Sequence, residues 1–288
     1  MKKKIFFIII NKKRIILTLV LFVVLITVLI GVRAQMKKNT RVWNYHEVIV
    51  KKLEGKSDRE VQGKVAIIID DFGNAGDGTK EMVAIQSVLT CAVIPFLPYT
   101  NEDAVLAHNR GHEVIIHIPM EPHFGNPKWL GEKGITTNLS TEQVKSIIRE
   151  AIEKVPYAVG VNNHMGSKAT EDRRIITAIV EVLKENDMYI VDSKTSMTSV
   201  IREIAEEYEV PVLERAVFLD NEKNIDAIKK QLELLGEIAL KDGYAVGIGH
   251  VGPEGGVVTA KAIEEMIPVF EKKAIKIVPV SELIKEVF

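Results

Sequence analysis

The sequence predicts an α/β protein built on a parallel sheet, and three observations carry that expectation. Short β-rich runs recur from Lys64 onward: "KVAIIID", "LTCAVIPF", "HEVIIHIPM", "AVGVNNHM", "MYIVDS", "PVLERAVFL", "YAVGIGH" and "AIKIVPV". Helical stretches such as "STEQVKSIIREAIEKV" and "EDRRIITAIVEVLKEN" separate most of them. The first run, "VAIIID", is apolar without alternation until its end, as in strands buried on both faces. Seven or eight such units can close into a barrel, and an open doubly wound sheet is the alternative.

Taken in order, the chain starts with Lys2, Lys3, Lys4, Lys12, Lys13 and Arg14, ahead of an uncharged stretch over residues 15–32. A bilayer-spanning helix needs roughly 17–25 apolar residues, and cations before it predict a cytoplasmic N-terminus with the remainder exported. A cleaved signal peptide is the alternative, because Val32-Arg33-Ala34 loosely resembles a cleavage site. The apolar run exceeds the usual signal core of about 7–15 residues, which favours an anchor. The expected division is a membrane anchor or signal over 1–34, a polar stalk over 35–62 and a folded domain over 63–288. His46 falls in the stalk, far from other candidate ligands, and is expected at the surface.

The composition is that of a globular protein: 288 residues, 47% hydrophobic, 27% charged, with a net charge of −1. Without a basic surplus there is no electrostatic case for nucleic acid as a partner. The single cysteine, Cys91 in "LTCAVIPF", excludes an intrachain disulfide and a cysteine-rich zinc site. It is expected to be a small core residue on a strand. Ser140 with Gln143 three residues later predicts a capped helix start.

The chemistry gathers where strands end. "VAIIIDDFGN" closes an apolar run on two adjacent acids, Asp70 and Asp71, which repel each other and prefer water. The glycines that follow lack the G-x-G-x-x-G spacing, and the acids would repel a pyrophosphate. Successive strand side chains point to opposite faces, but at a loop start both acids can face one site. One could then hold a metal while the other takes a proton from water. Capping of the next turn is the alternative, but two acids exceed what capping needs. His117 closes "EVIIH", with Glu121 four residues on, both ordinary metal-ligand types. Pro119 and Pro122 exclude a regular helix there, so a loop must bring them together. His108, His112 and His123 are expected as core or surface residues.

"GVNNHMGSKAT" places His164 at a third strand exit, where it could supply another ligand. A turn in which asparagines bond their own backbone would explain the same stretch. Asp192 and Lys194 in "VDSKTS", with Arg215 and Asp220 in "ERAVFLDN", could orient a catalytic acid or bind substrate. Helix capping would also account for Asp192 and Asp220. His250, ending "YAVGIGH", could serve as a general acid. In a parallel βα barrel all these strand ends converge on one face, where active sites sit.

Read together, "IIIDDFGN", "HIPMEP", "GVNNHMGS", "VDSKTS", "RAVFLDN" and "IGH" resemble the divergent polysaccharide deacetylase family, a distant branch of the carbohydrate esterases with a NodB-type domain. The resemblance runs in order over residues 64–288. It implies an irregular seven-stranded βα barrel and metal-dependent removal of acetyl groups from a polysaccharide or peptidoglycan-like substrate. By resemblance, Asp70 is the base, Asp71 a metal ligand and His250 the acid. The relatives' paired histidines correspond to His117 and Glu121, so a carboxylate replaces the second histidine. "GVNNHMGS" stands where an arginine-containing motif is usual. The converging strand exits give Asp71, His117 and His164 as the expected ligand set, with Glu121 in reserve and zinc as the expected ion. Asn163, Asp192, Lys194 and Arg215 are expected to bind or orient substrate. A function of a different class, a catalytically silent glycan-binding or scaffolding protein, would use the same barrel.

Overall fold

The computed structural model describes residues 61–288. The expected anchor, His46 and the stalk up to residue 60 lie outside the described residues. Among the described residues, no helix is long and apolar enough to cross a membrane.

The strands are β1 (Gly63–Phe72), β2 (Thr90–Val93), β3 (Glu113–Met120), β4 (Ala158–Met165), β5 (Tyr189–Asp192), β6 (Val212–Glu214), β7 (Val217–Phe218), β8 (Tyr244–His250) and β9 (Ile275–Ile277). The α-helices are α1 (Thr79–Met82), α2 (Thr100–Asn109), α3 (Thr141–Lys154), α4 (Arg173–Glu185), α5 (Ile201–Glu207), α6 (Ile225–Asp242), α7 (Val257–Lys272) and α8 (Val280–Val287). The strands form one parallel sheet in the order β6-β5-β4-β3-β2-β1-β8-β7, with β9 added on β1. The run "PVLERAVFL", read from sequence as one strand, is two. Its first part pairs with β5 and its second with β8. Arg215 and Ala216 make the crossing, their amides donating to Asp192 O at 3.0 Å and Val246 O at 2.8 Å. The two edges of the sheet are thus consecutive pieces of chain, which curls it into a half-barrel rather than an open doubly wound sheet.

β1 touches β2, β8 and β9 and is covered on both faces, which is why its sequence does not alternate. Val65, Ile67 and Ile69 pack under the helices, while Ala66 and Ile68 face the barrel interior. That inner core continues through Ala92, Ile115, Val191, Leu213, Val246 and Ile248 to Val280, Leu283 and Ile284 of α8. The start of α8 is fastened to the first residues of β2 and β3: Val280 N donates to Thr90 Oγ1 at 3.1 Å, and Ser281 N to Glu113 Oε2 at 3.2 Å. A helix therefore stops the N-terminal end of the barrel and leaves the C-terminal end open. Helix α3 begins at the capping box read from Ser140 and Gln143. Cys91 is buried on β2.

Candidate metal centre

The inner face of the sheet is apolar below and polar at the open end, a direct result of period two. Following Ala66 and Ile68, the next inward position on β1 is Asp70. Ile115 is followed by His117 on β3, and Val246 and Ile248 by His250 on β8. Asn162 and His164 pair in register with His117 and Pro119, so β4 presents its own polar pair to the same mouth. Gly160, two residues below Asn162, leaves room for Tyr189, whose ring would lie 2.4 Å from a Cβ there.

Asp71 should point to the helix side by the same parity, and a local break redirects it. Its φ is +72°, and the β1–β2 register shifts between Ile69 and Phe72. Aspartate tolerates this left-handed conformation better than most residues. The turn beyond is held by Asp103, whose Oδ2 accepts from Gly73 N at 2.8 Å and Ala75 N at 3.1 Å. Gly73 is required there, since it has φ +114° and a Cβ would stand 2.8 Å from Ile94 O.

These devices bring three donor atoms together. His164 Nδ1 lies 3.0 Å from Asp71 Oδ1, His117 Nε2 lies 3.4 Å from the same oxygen, and the two nitrogens are 3.1 Å apart. Asp71 Oδ1 is buried, and neither imidazole approaches it with hydrogen-bond geometry. Zinc bonds of about 2.0–2.2 Å in a tetrahedral arrangement set ligand atoms roughly 3.3–3.6 Å apart, so the three donors, at 3.0, 3.1 and 3.4 Å, need to open by only a few tenths of an ångström to hold such an ion. Burial alone would raise the pKa of Asp71, but the two imidazoles outweigh it and hold the carboxyl well below the usual range.

His117 is oriented from behind. Its Nδ1 donates to Asn162 Oδ1 at 2.7 Å, and Asn162 Nδ2 donates to Asp70 Oδ1 at 2.8 Å. With Nδ1 committed to Asn162, Nε2 is the nitrogen of His117 left to face Asp71 and His164, the one a metal would take. Asp70 is 2% exposed, with Oδ2 3.5 Å from His117 Nε2. Burial raises its pKa, and His117 and His250 reverse only part of that. Next to Asp70 across the β1–β8 pairing stands His250. Its Nδ1 donates to Asp220 Oδ1 at 2.8 Å, while Asp220 Oδ2 accepts from His250 N at 2.7 Å and from Thr259 Oγ1 at 2.8 Å. Burial disfavours the imidazolium, yet Asp220 and Asp70 raise its pKa to about 9. Gly255 permits this packing, since a Cβ there would lie 2.2 Å from Asp220 Oδ2.

The other expected residues fall around this centre. Glu121 lies outside the ligand cluster, because Lys168 Nζ at 2.6 Å and Thr137 N at 2.7 Å occupy its two oxygens. Asn163 fastens β4 to the end of β5: its Oδ1 accepts from Ser193 N and its Nδ2 donates to Met165 O. Lys194 pairs with Glu214 at 3.2 Å. Arg215 donates to Ser193 O and Lys194 O, and its guanidinium lies 3.7 Å from the centre of the Phe218 ring. Asp192 accepts from Lys194 N at 2.7 Å. These four therefore fix the turn after β5. Neither Asp192 nor Asp220 caps a helix, since α5 and α6 start after Val200 and Asn224. His108 stacks on Tyr157 and His112 is buried between Leu89 N and Val83 O. His123 pairs with Glu171. Sequence reasoning missed Asn162 and Asp103. Asn162 was visible as the residue two before His164 on the same face, whereas Asp103 had no local signal.

The sequence model of the divergent polysaccharide deacetylase family matches residues 67–284, most of the chain and every residue of this centre. The chain belongs to that family. Among similar proteins is the uncharacterized protein YibQ of Escherichia coli (strain K12), 36% identical over 205 residues. The match covers 71% of this chain and 62% of YibQ, so the chain spans less than two thirds of that relative's length. An uncharacterized protein of Haemophilus influenzae (strain ATCC 51907 / DSM 11121 / KW20 / Rd) is 33% identical over 192 residues, covering 67% of this chain and 68% of its own. The crystal structure of uncharacterized protein ATU2773 from Agrobacterium tumefaciens C58 shares the fold, with a TM-score of 0.72 at 22% identity. That likeness covers 79% of this chain and 91% of the other.

Proposed function

We propose that this deacetylase-family protein is a metal-dependent hydrolase that removes acetyl groups from a cell-envelope polysaccharide. The observation that supports it most is Asp71 Oδ1, a buried carboxylate oxygen with no hydrogen-bond partner between two imidazole nitrogens. Asp71, His117 and His164 would hold the ion, and their mixed nitrogen and oxygen donors suit zinc. A dication bound there would polarise the acetyl carbonyl and ease deprotonation of water.

The chain's own groups supply the proton transfers. Asp70, held by Asn162 and raised in pKa by burial, takes a proton as water adds to the acetyl carbon. His250, kept protonated by Asp220, gives a proton to the amine or alcohol as its bond to the acetyl carbon breaks. The products are acetate and a free amino or hydroxyl group on the sugar. Asp220 and Thr259 set the ring of His250, and Asn162 sets that of His117. An extracytoplasmic site, tethered by residues 15–32, is part of the same proposal. It rests on the six cations preceding that uncharged stretch.

The test is acetate release from an N-acetylated peptidoglycan fragment by the zinc-loaded protein. Release that stops with a chelator, and in Asp70→Asn while that variant retains its metal, supports the proposal. No release from the loaded wild type would overturn it.

A further inference from the structure

At the end of the barrel opposite the metal centre, where the strands begin, apolar side chains are turned into water by two separate devices. Tyr157, between α3 and β4, has φ +65°, a left-handed conformation that bulky residues rarely adopt, and it is 53% exposed. Its ring is held in place, parallel to that of His108 with 3.8 Å between the ring centres. Just beyond, β4 carries one residue more than β3 between the Val114–Ala158 and Ile116–Val161 pairs, and such a bulge re-aims a side chain. Val159 lies in it, 43% exposed, and Val88 before β2 is 38% exposed. Among them opens a cleft of about 550 Å³ walled by Val88, Val114, Val159, Pro211 and Ile284.

The buried polar groups of this cleft are already matched. Glu113 accepts from Thr90 Oγ1 at 2.8 Å, the Tyr189 hydroxyl at 2.9 Å and Ser281 N at 3.2 Å, and His112 is used by Leu89 N and Val83 O. A polar small molecule would find little to bond there. Around the apolar walls stand cations that have no ion-pair partner among the described residues: Lys285 on the cleft, Arg110 at the end of α2 and Lys154 at the end of α3. They outnumber the unpaired acids of the same rim, Asp187 and Glu153. An apolar centre with a tyrosine ring and a cationic rim suits the surface of an anionic bilayer, where such rings sit at the level of the headgroups.

The chain itself leads to the same end. Residue 61 lies just before β1, and a parallel sheet starts every strand on one side, so the segment carrying the uncharged stretch 15–32 joins the barrel here. A tether alone would leave the domain free to turn either end to the lipid. We propose that this apolar, cationic face rests on an anionic bilayer surface, so that the metal centre, at the other end of the strands, opens away from the lipid. The inference rests on the tethered, extracytoplasmic part of the hydrolase proposal and on none of its chemistry.

The experiment puts one reactive thiol at either end of the full-length protein, as Tyr157→Cys or Phe124→Cys, Cys91 being buried. Phe124 is 91% exposed on the loop after β3, at the open end. Reaction with a charged, impermeant maleimide is timed in vesicles of phosphatidylglycerol and phosphatidylcholine and in nonionic micelles. In vesicles the thiol at position 157 should react about tenfold more slowly than in micelles, as when roughly nine in ten domains lie on the lipid. The thiol at position 124 should keep its rate, and Val159→Cys repeats the measurement with the Tyr157 ring intact. Adding Arg110→Glu/Lys285→Glu should restore most of the rate at position 157. Equal rates at 157 and 159 in vesicles and micelles would overturn the proposal, as would slowing at 124 instead. So would slowing that charge reversal leaves untouched, or that grows with the protein-to-lipid ratio and so reports a second copy of the chain. Release of the protein from vesicles by alkaline carbonate would sink the tether, whereas a retained protein with fully reactive thiols at 157 and 159 would sink only the docked face.

Discussion

Asn162 is the joint between the base and the metal ligand, and replacing it should separate two effects. Asn162→Leu keeps the bulk but removes the 2.7 Å bond from His117 Nδ1 and the 2.8 Å bond to Asp70 Oδ1. Both partners are buried, so each is left with an unmatched polar atom at a cost of about 1–3 kcal/mol. The metal-free variant should therefore lose roughly 2–6 kcal/mol, read from urea unfolding. Freed from its orienting partner, His117 should also bind metal about 10–100-fold more weakly, the usual effect of losing such a contact. Asn162→Asp gives the contrast. It keeps an acceptor for His117 and should hold metal within a few-fold of wild type. Its second oxygen faces Asp70 as a like charge, so acetyl release should fall even with metal bound. Zinc competition against a chelating dye measures both. A leucine variant that binds zinc as tightly as wild type would refute this reasoning.

Three further outcomes follow from the packing and charge of the site. Asp103→Ala removes the acceptor for Gly73 N and Ala75 N, so zinc affinity should drop about tenfold as the Asp71 turn loosens; unchanged affinity would mean the turn holds itself. Gly160→Ala sets a methyl 2.4 Å from the Tyr189 ring and should cost about 1–3 kcal/mol, seen as a lowered Tm; an unchanged Tm would show that the ring moves aside freely. His250 has its pKa raised from 6.5 to about 9, so the stabilisation it gives is complete below pH 6.5 and vanishes as pH climbs through about 9. Metal-free protein should lose roughly 3 kcal/mol from this dyad over that window, and His250→Gln should remove that part of the slope; identical pH profiles for the two proteins would count against the dyad.

Much of the barrel could be read locally. "AVGVNNHM" and "YAVGIGH" became β4 and β8 with the boundaries expected, because each run is closed by a turn at either end. "PVLERAVFL" could not be read correctly from its own residues: it splits because one half finds β5 and the other β8, a fact of distant pairing. "AIKIVPV" is cut short because Pro279 leads into the helix that stops the barrel. In the site, inward parity was enough to put Asp70, His117, His164 and His250 on one face. Asp71 needed more, since only its left-handed φ brings it round. Glu121 was weighed as a ligand on its spacing from His117 and on the relatives' paired histidines, and neither can show that Lys168 lies close enough to claim it.

The central claim is that Asp71, His117 and His164 hold one ion. Elemental analysis of the purified protein, compared with Asp71→Ala, His164→Ala and His108→Ala, tests it most directly. About one divalent ion per chain is expected in the wild type, in keeping with a three-ligand site. His108 stacks on Tyr157 away from the cluster, so its variant should match wild type, whereas the Asp71 and His164 variants should each lose most of the metal. Metal content unchanged in both of those variants would contradict the account and favour a glycan-binding protein on a deacetylase fold.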